Sequence, residues 1–126
     1  ENIKAFVKDT LGCSCPDEVF QHMTCERKVE LTDQIQLTYK INIGGRLLVY
    51  VIDESDPKIV TKNIAILLNR GINERDSQGF NRFRLVIVSS DPTVMLASIT
   101  QLFKTDASKD KKVHLHVVSK DQMLSM

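Results

Sequence analysis

Two thiols stand one residue apart at Cys13 and Cys15 (the thiol pair), and Pro16 follows them directly. A thiolate is a nucleophile and a soft metal ligand, so the thiol pair is the strongest local candidate for chemistry. Because proline favours the first position of a helix, Cys15 is predicted to be an N-cap, where the helix dipole stabilises a thiolate. Asp17 and Glu18 in the first turn oppose that effect, so the sequence leaves the direction of the thiol pKa open.

The thiol pair has four interpretations. A disulfide between the two residues would close a small, strained and easily reduced ring, which is typical of redox-active or regulatory thiols. Alternatively, Cys13, Cys15, His22 and Cys25 are four ligands for zinc or an iron–sulfur cluster. Helical geometry opposes that set, because Cys15 and His22 lie about 10 Å apart along a helix, whereas a tetrahedral ion holds its ligands within ~2–2.3 Å. In the third interpretation, two thiol pairs across a symmetric dimer form one metal site with four thiolate ligands. In the fourth, the cysteines are structural and only pack a tight turn between helices.

A second candidate site is a basic stripe on the last two predicted strands. Arg82 and Arg84 share one face of their strand, and His114 and His116 share one face of the final strand. If these strands are neighbours, their side chains form one patch, with Asn81 and Arg75 at its rim. Such a patch suits an anionic ligand, an acidic protein partner or a homodimer. Protonation of the histidines below neutral pH would add positive charge. The alternative is a solvated edge strand, since edge strands often carry charge.

These residues belong to a chain with an internal repeat at an offset of 35 residues. The segment Ser55-Asp56-Pro57 matches Ser90-Asp91-Pro92, and the apolar positions around the two segments correspond as well. Each copy predicts an apolar strand, an aspartate N-cap, a proline at the first helical position and an amphipathic helix. Two right-handed crossovers that step in one direction place both helices on one face of the sheet. The other face is left to N-terminal helices, a partner or water.

A β-hairpin is predicted before the repeat, because apolar and polar residues alternate from Ile35 to Ile43 and Gly44-Gly45 supplies a two-residue turn. The other expected elements are strands at 26–31, 46–53 and 112–118 and N-terminal helices at 2–11 and 16–23. The sequence therefore predicts a single α/β (α+β) domain over residues 1–126. It has a helical N-terminal segment at 1–25, and a mixed sheet of four to five strands at 26–126.

Composition excludes several function classes. The 126 residues carry a net charge of +1 and no tryptophan, which disfavours nucleic-acid binding. No stretch approaches the ~20 apolar residues of a membrane span, and an odd number of cysteines indicates a reducing, cytoplasmic environment. Phosphate-binding glycine motifs are absent, and no complete set of nucleophile, acid and base is visible, so the sequence favours a protein that is not an enzyme.

Two segments carry a resemblance to other proteins. They are Leu11-Gly12-Cys13-Ser14-Cys15-Pro16-Asp17-Glu18-Val19-Phe20 and Gly79-Phe80-Asn81-Arg82-Phe83-Arg84. They resemble segments of a set of small uncharacterised prokaryotic proteins. No activity is established for that set, so the resemblance implies no function.

Three functional hypotheses follow from the sequence. The first is a redox or regulatory thiol-bearing binding domain that uses the thiol pair. The second is a non-catalytic interaction or homodimerisation module that uses the basic stripe. The third is a metal-binding protein that uses the cysteine cluster, with zinc as its cofactor.

Overall fold

The computed structural model describes residues 23–32, 35–107 and 113–120. The described residues form a mixed sheet of five strands and two helices, which confirms the predicted α+β class. The strands are β1 (Met23–Thr32), β2 (Ile35–Ile43), β3 (Leu47–Asp53), β4 (Arg82–Ser89) and β5 (Val113–Ser119). The helices are α1 (Pro57–Gln78) and α2 (Pro92–Ala107).

The strand order in the sheet is the order in the sequence, β1-β2-β3-β4-β5. β1, β2 and β3 are antiparallel neighbours, whereas β3, β4 and β5 run parallel. The antiparallel β2–β3 pair follows from the turn, in which Gly44 and Gly45 have φ angles of 62° and 69°. Positive φ at both central positions is what a type I′ hairpin requires. The parallel pairs follow from the two strand–helix–strand crossovers.

Each crossover helix begins as its sequence predicts. The Asp56 carboxylate accepts a hydrogen bond from the Lys58 backbone N–H at 2.9 Å, and Asp91 accepts one from the Val94 N–H at 3.3 Å. These aspartates satisfy amide groups that lack helical partners and stabilise their helices by about 1 kcal/mol each. The two loops also contact each other, since the Ser90 N–H donates to Ser55 Oγ at 3.0 Å.

One hydrophobic core lies between the two helices and one face of the sheet. We call this face the helix face, and its buried side chains include Leu48, Tyr50, Phe83, Leu85 and Ile87. The buried helix residues packed in this core are Val60, Ile64, Leu67 and Leu68 from α1 and Met95 and Ile99 from α2. Both helices therefore cover the same face, as two crossovers that step in one direction require.

A second core lies on the far face of the sheet. Its buried members all come from strands, and they are Tyr39, Ile41, Ile43, Leu47, Val49, Val51, Val86, Val88 and Val118. Neither α1 nor α2 contributes to it. Ile41, Val49 and Val86 have no exposed surface, so water does not cover the centre of this face.

The first strand begins earlier than the sequence predicts. Met23, Thr24 and Cys25, assigned to the helical N-terminal segment 1–25, belong to β1 instead. The reason is tertiary, because Met23 and Cys25 alternate with polar residues and pack against the far-face core. The other residues of that segment lie outside the described residues, and so do the helices predicted at 2–11 and 16–23, except for Met23.

Candidate functional site

The sequence-predicted site residues divide into two groups in the structure. Cys13, Cys15 and His22 lie outside the described residues, so the thiol pair and the four-ligand set remain predictions. Arg82 and Arg84 lie on β4, and His114 and His116 lie on the neighbouring strand β5. We call these four residues the basic cluster.

The sheet register brings the basic cluster together on the far face. Arg84 stands opposite His114 in the parallel β4–β5 pair, and Val86 stands opposite His116. Val86 belongs to the far-face core, and side chains two residues apart on a strand share a face. The adjacency expected from the sequence is therefore present, on the face away from both helices.

Arg84 forms the interior of the basic cluster. Its side chain is buried, with only 7% of the residue exposed, and its Nη1 lies 2.7 Å from Nε2 of His116. A guanidinium has only donors, so His116 Nε2 is the acceptor and carries no proton. The proton of this neutral imidazole is therefore on Nδ1.

The environment keeps both imidazoles neutral. Burial, followed by the charge of Arg84 and by His114, lowers the pKa of His116 to about 4. Burial and the charges of Arg84 and Arg82 also lower the pKa of His114. Burial and the nearby Arg82 lower the pKa of the Arg84 guanidinium, which keeps its charge at any ordinary pH. The basic cluster is thus a pair of arginine charges beside two neutral rings.

His114 carries an atom that needs a partner. Its Nε2 is buried, and no hydrogen-bond partner for it occurs among residues 23–32, 35–107 and 113–120. A buried polar nitrogen without a hydrogen bond costs about 1–3 kcal/mol. Arg82, two residues before Arg84 on the same strand, is exposed and forms the accessible rim of the cluster.

Arg75 does not belong to this rim, contrary to the sequence prediction. It lies on α1, which covers the opposite face of the sheet, and its Nη2 pairs with Asp76 Oδ1 at 3.0 Å. The reason is the period of the helix, because Arg75 follows Gly71 by one turn on the buried stripe of α1.

Cys25 is separated from the basic cluster by the width of the sheet. It pairs with Ile41 on β2, which pairs with Val49 on β3, which pairs with Arg84 on β4. Three strand spacings place Cys25 about 14 Å from β4. Burial, partly offset by Arg27, raises the pKa of its thiol, which makes it a poor nucleophile at neutral pH. In the described part of the chain, no three His, Cys, Asp or Glu side chains converge as metal ligands.

A polar cluster on the helix face was missed by the sequence reasoning. The Tyr50 hydroxyl donates a 2.5 Å hydrogen bond to Glu74 Oε1, and Lys40 Nζ lies 2.5 Å from Glu74 Oε2. Burial, the hydrogen bond to Glu74 and its charge strongly raise the pKa of Tyr50. One signal was present in the sequence, because Glu74 follows Leu67 and Gly71 at helical spacing and so lies near the buried stripe.

Comparisons with known proteins do not assign this α+β chain to a family. No protein-family model, curated protein or solved structure gives a significant match to the chain. Neither described helix is long and apolar enough to cross a bilayer.

Proposed function

We propose that this protein is a non-catalytic interaction module whose basic cluster binds an oxyanion, a carboxylate or phosphate group, of a partner molecule. The observation that carries the proposal is the buried His114 Nε2, which stands beside Arg84 without a partner among the described residues. A bound oxyanion would accept a hydrogen bond from this nitrogen in its N–H tautomer.

The electrostatics of the basic cluster support an anion rather than a cation. Two arginines lie on the strand face that carries the imidazoles. After burial, which is the largest cause, the charge of Arg84 lowers the pKa of both histidines, and Arg82 adds to this effect at His114. The same field that disfavours an imidazolium favours a negative ligand. Arg82 is exposed and can form a forked contact with a carboxylate or phosphate at the rim.

The arrangement favours binding over catalysis. The lone pair on His116 Nε2 could otherwise act as a base, but it accepts a hydrogen bond from Arg84. The four side chains supply positive charge and hydrogen-bond donors, but no serine, cysteine or carboxylate is a member of the cluster.

The experiment is a titration with inorganic phosphate and, separately, with succinate at constant ionic strength, monitored by the imidazole C–H signals in NMR spectra. Arg82→Gln should weaken binding about fivefold, since an exposed charge-assisted contact is worth ~1 kcal/mol. Arg70→Gln is the matched control, because it makes the same change at an exposed position on α1, across the sheet. Equal weakening in both variants, or no shift at His114, would contradict the proposal.

Homodimerisation through the same cluster is separable from anion binding by analytical ultracentrifugation. A chain that is monomeric at all concentrations removes the homodimer, and Arg82→Glu, at the exposed rim, should dissociate a dimer that uses this face. A dimer that persists in Arg82→Glu would assign self-association to another surface.

A further inference from the structure

A polar cleft opens on the helix face, between the end of α1 and the β1–β2 hairpin. Its volume is about 490 Å³, which is within the range of small-molecule sites. Its lining residues are Thr24, Glu26, Lys40, Asn42, Gly45, Glu74, Gln78 and Phe80. The cleft lies on the opposite side of the sheet from the basic cluster, so it would be a separate site.

The cleft exists because the polarity of the helix face changes between β2 and β3. Tyr50 and Leu48 on β3 are buried under the helices, whereas their cross-strand partners on β2 are Lys40 and Asn42. Beside the cleft, the apolar side chains of β2, Tyr39, Ile41 and Ile43, belong to the far-face core instead. The hairpin therefore presents hydrogen-bonding groups, rather than a core surface, beside the last turns of α1.

Several of these groups are held in place before any ligand arrives. Glu74 is fixed from two sides, by the Tyr50 hydroxyl and by Lys40 Nζ. Asn42 Oδ1 accepts a hydrogen bond from the Gly45 N–H at 2.8 Å, which fixes the side chain with its two amide N–H groups as donors. Preformed polar groups reduce the ordering cost of binding.

The charge balance of the lining side chains is negative. Lys40 lies 2.5 Å from Glu74 but 3.8 Å from Glu26, and the Glu26 side chain is 63% exposed. Two carboxylates and one ammonium leave a formal charge of −1, located mainly on Glu26. Phe80 adds an aromatic side chain, a group whose ring attracts cations.

We infer that this cleft binds an organic cation, an alkylammonium or guanidinium group. The cation would pair with Glu26 and lie against Phe80, while the hydroxyl of Thr24 and the amide of Gln78 provide further hydrogen bonds. A free amine and the side chain of a lysine or arginine on a partner chain share this chemistry.

The test is a titration of the full chain with agmatine, followed by backbone amide shifts. Shifts should concentrate at Thr24, Asn42 and Gln78, and Glu26→Gln should weaken binding by about 3- to 10-fold. Glu30→Gln is the matched control, since it makes the same change at an exposed position of the same strand outside the cleft. A capped tripeptide with a central arginine distinguishes the sources, because tighter binding than agmatine indicates a partner chain and weaker binding indicates a free amine.

Three results would overturn the inference. They are equal weakening by Glu26→Gln and Glu30→Gln, shifts distributed away from the cleft, and no shift up to roughly 50 mM agmatine. Because Glu26 is largely exposed on an edge strand, its variant is expected to retain the wild-type amide spectrum elsewhere. Failure here would leave the proposed anion site untouched, since no residue is shared.

Discussion

Replacing His116 with glutamine should make the protein less sensitive to acid. Burial and Arg84 hold the pKa of this imidazole at about 4, against 6.5 in an unfolded chain. Glutamine keeps an oxygen that accepts from Arg84 but does not titrate. The substitution therefore removes the proton-binding group while it preserves the contact.

The sign of the effect follows from where protons bind. Between pH 6.5 and about 4, the unfolded chain protonates His116 and the folded chain does not. The unfolded state then binds more protons, so stability is fully present above pH 6.5 and falls as the pH decreases towards about 4. Each pKa unit corresponds to ~1.4 kcal/mol, and partial solvent exposure of the ring reduces the total contribution to about 2 kcal/mol.

The free energy of unfolding is measured by urea denaturation at about pH 7.5 and at about pH 4.5, in a phosphate-free buffer. The wild-type chain should lose about 1–2 kcal/mol more stability than His116→Gln over this interval. Arg70→Gln, on the opposite face, should behave as wild type and shows that a charge change alone is not responsible. If His116→Gln loses as much stability as the wild type, the imidazole is not the acid-sensitive group and the described environment of Arg84 is incorrect.

Two other perturbations concern packing and thiol reactivity. A Cβ at Gly71 would overlap the ring of Phe83, so Gly71→Ala should lower the melting temperature. Overpacking destabilises a core by ~1–3 kcal/mol, which exceeds the ~1 kcal/mol that alanine gains over glycine in helix propensity. Asn73→Ala, at an exposed position of α1, should raise it slightly, and a stabilised Gly71→Ala would contradict the packing argument. In a titration with a chromogenic disulfide, Cys25 should react slowly because its pKa is raised. The thiol pair should react fast, or should do so after chelator treatment if it binds a metal. If it does not react until the chain is unfolded, the thiol hypothesis is wrong.

The local parts of the fold could be predicted because their causes lie within a few residues. Gly44-Gly45 fixes the turn of the hairpin, and Asp56 and Asp91 each fix the start of a helix. Strict alternation in β2 identified its buried side. These signals do not depend on the rest of the molecule.

The beginning of β1 could not be predicted in this way. Met23 and Cys25 add only one short alternation before the predicted strand, and what places them in β1 is their pairing with Ile43 and Ile41 of the far-face core, which is distant in sequence. Further along β1, Lys28 has a φ of 52° and the β1–β2 register shifts between Glu30 and Thr32. Such an irregularity in an edge strand resists pairing with another chain.

The candidate sites depended on contacts that the sequence does not encode locally. The basic cluster was predicted because Arg84 and His114 occupy alternating positions on strands that were expected to be neighbours. The Tyr50–Glu74 hydrogen bond joins residues 24 positions apart on two different elements, so neither residue signals the other. The polarity change between β2 and β3 required the register, which only the structure supplies.

The consecutive arrangement of the five strands has a consequence for biosynthesis. Among the described strands, each of β2 to β5 pairs with the strand made just before it, and none inserts between two earlier ones. A nascent chain can therefore complete each ladder as soon as the next strand leaves the ribosome. Each added hairpin or crossover closes a short loop, whose entropic cost is small compared with that of a sheet assembled out of order.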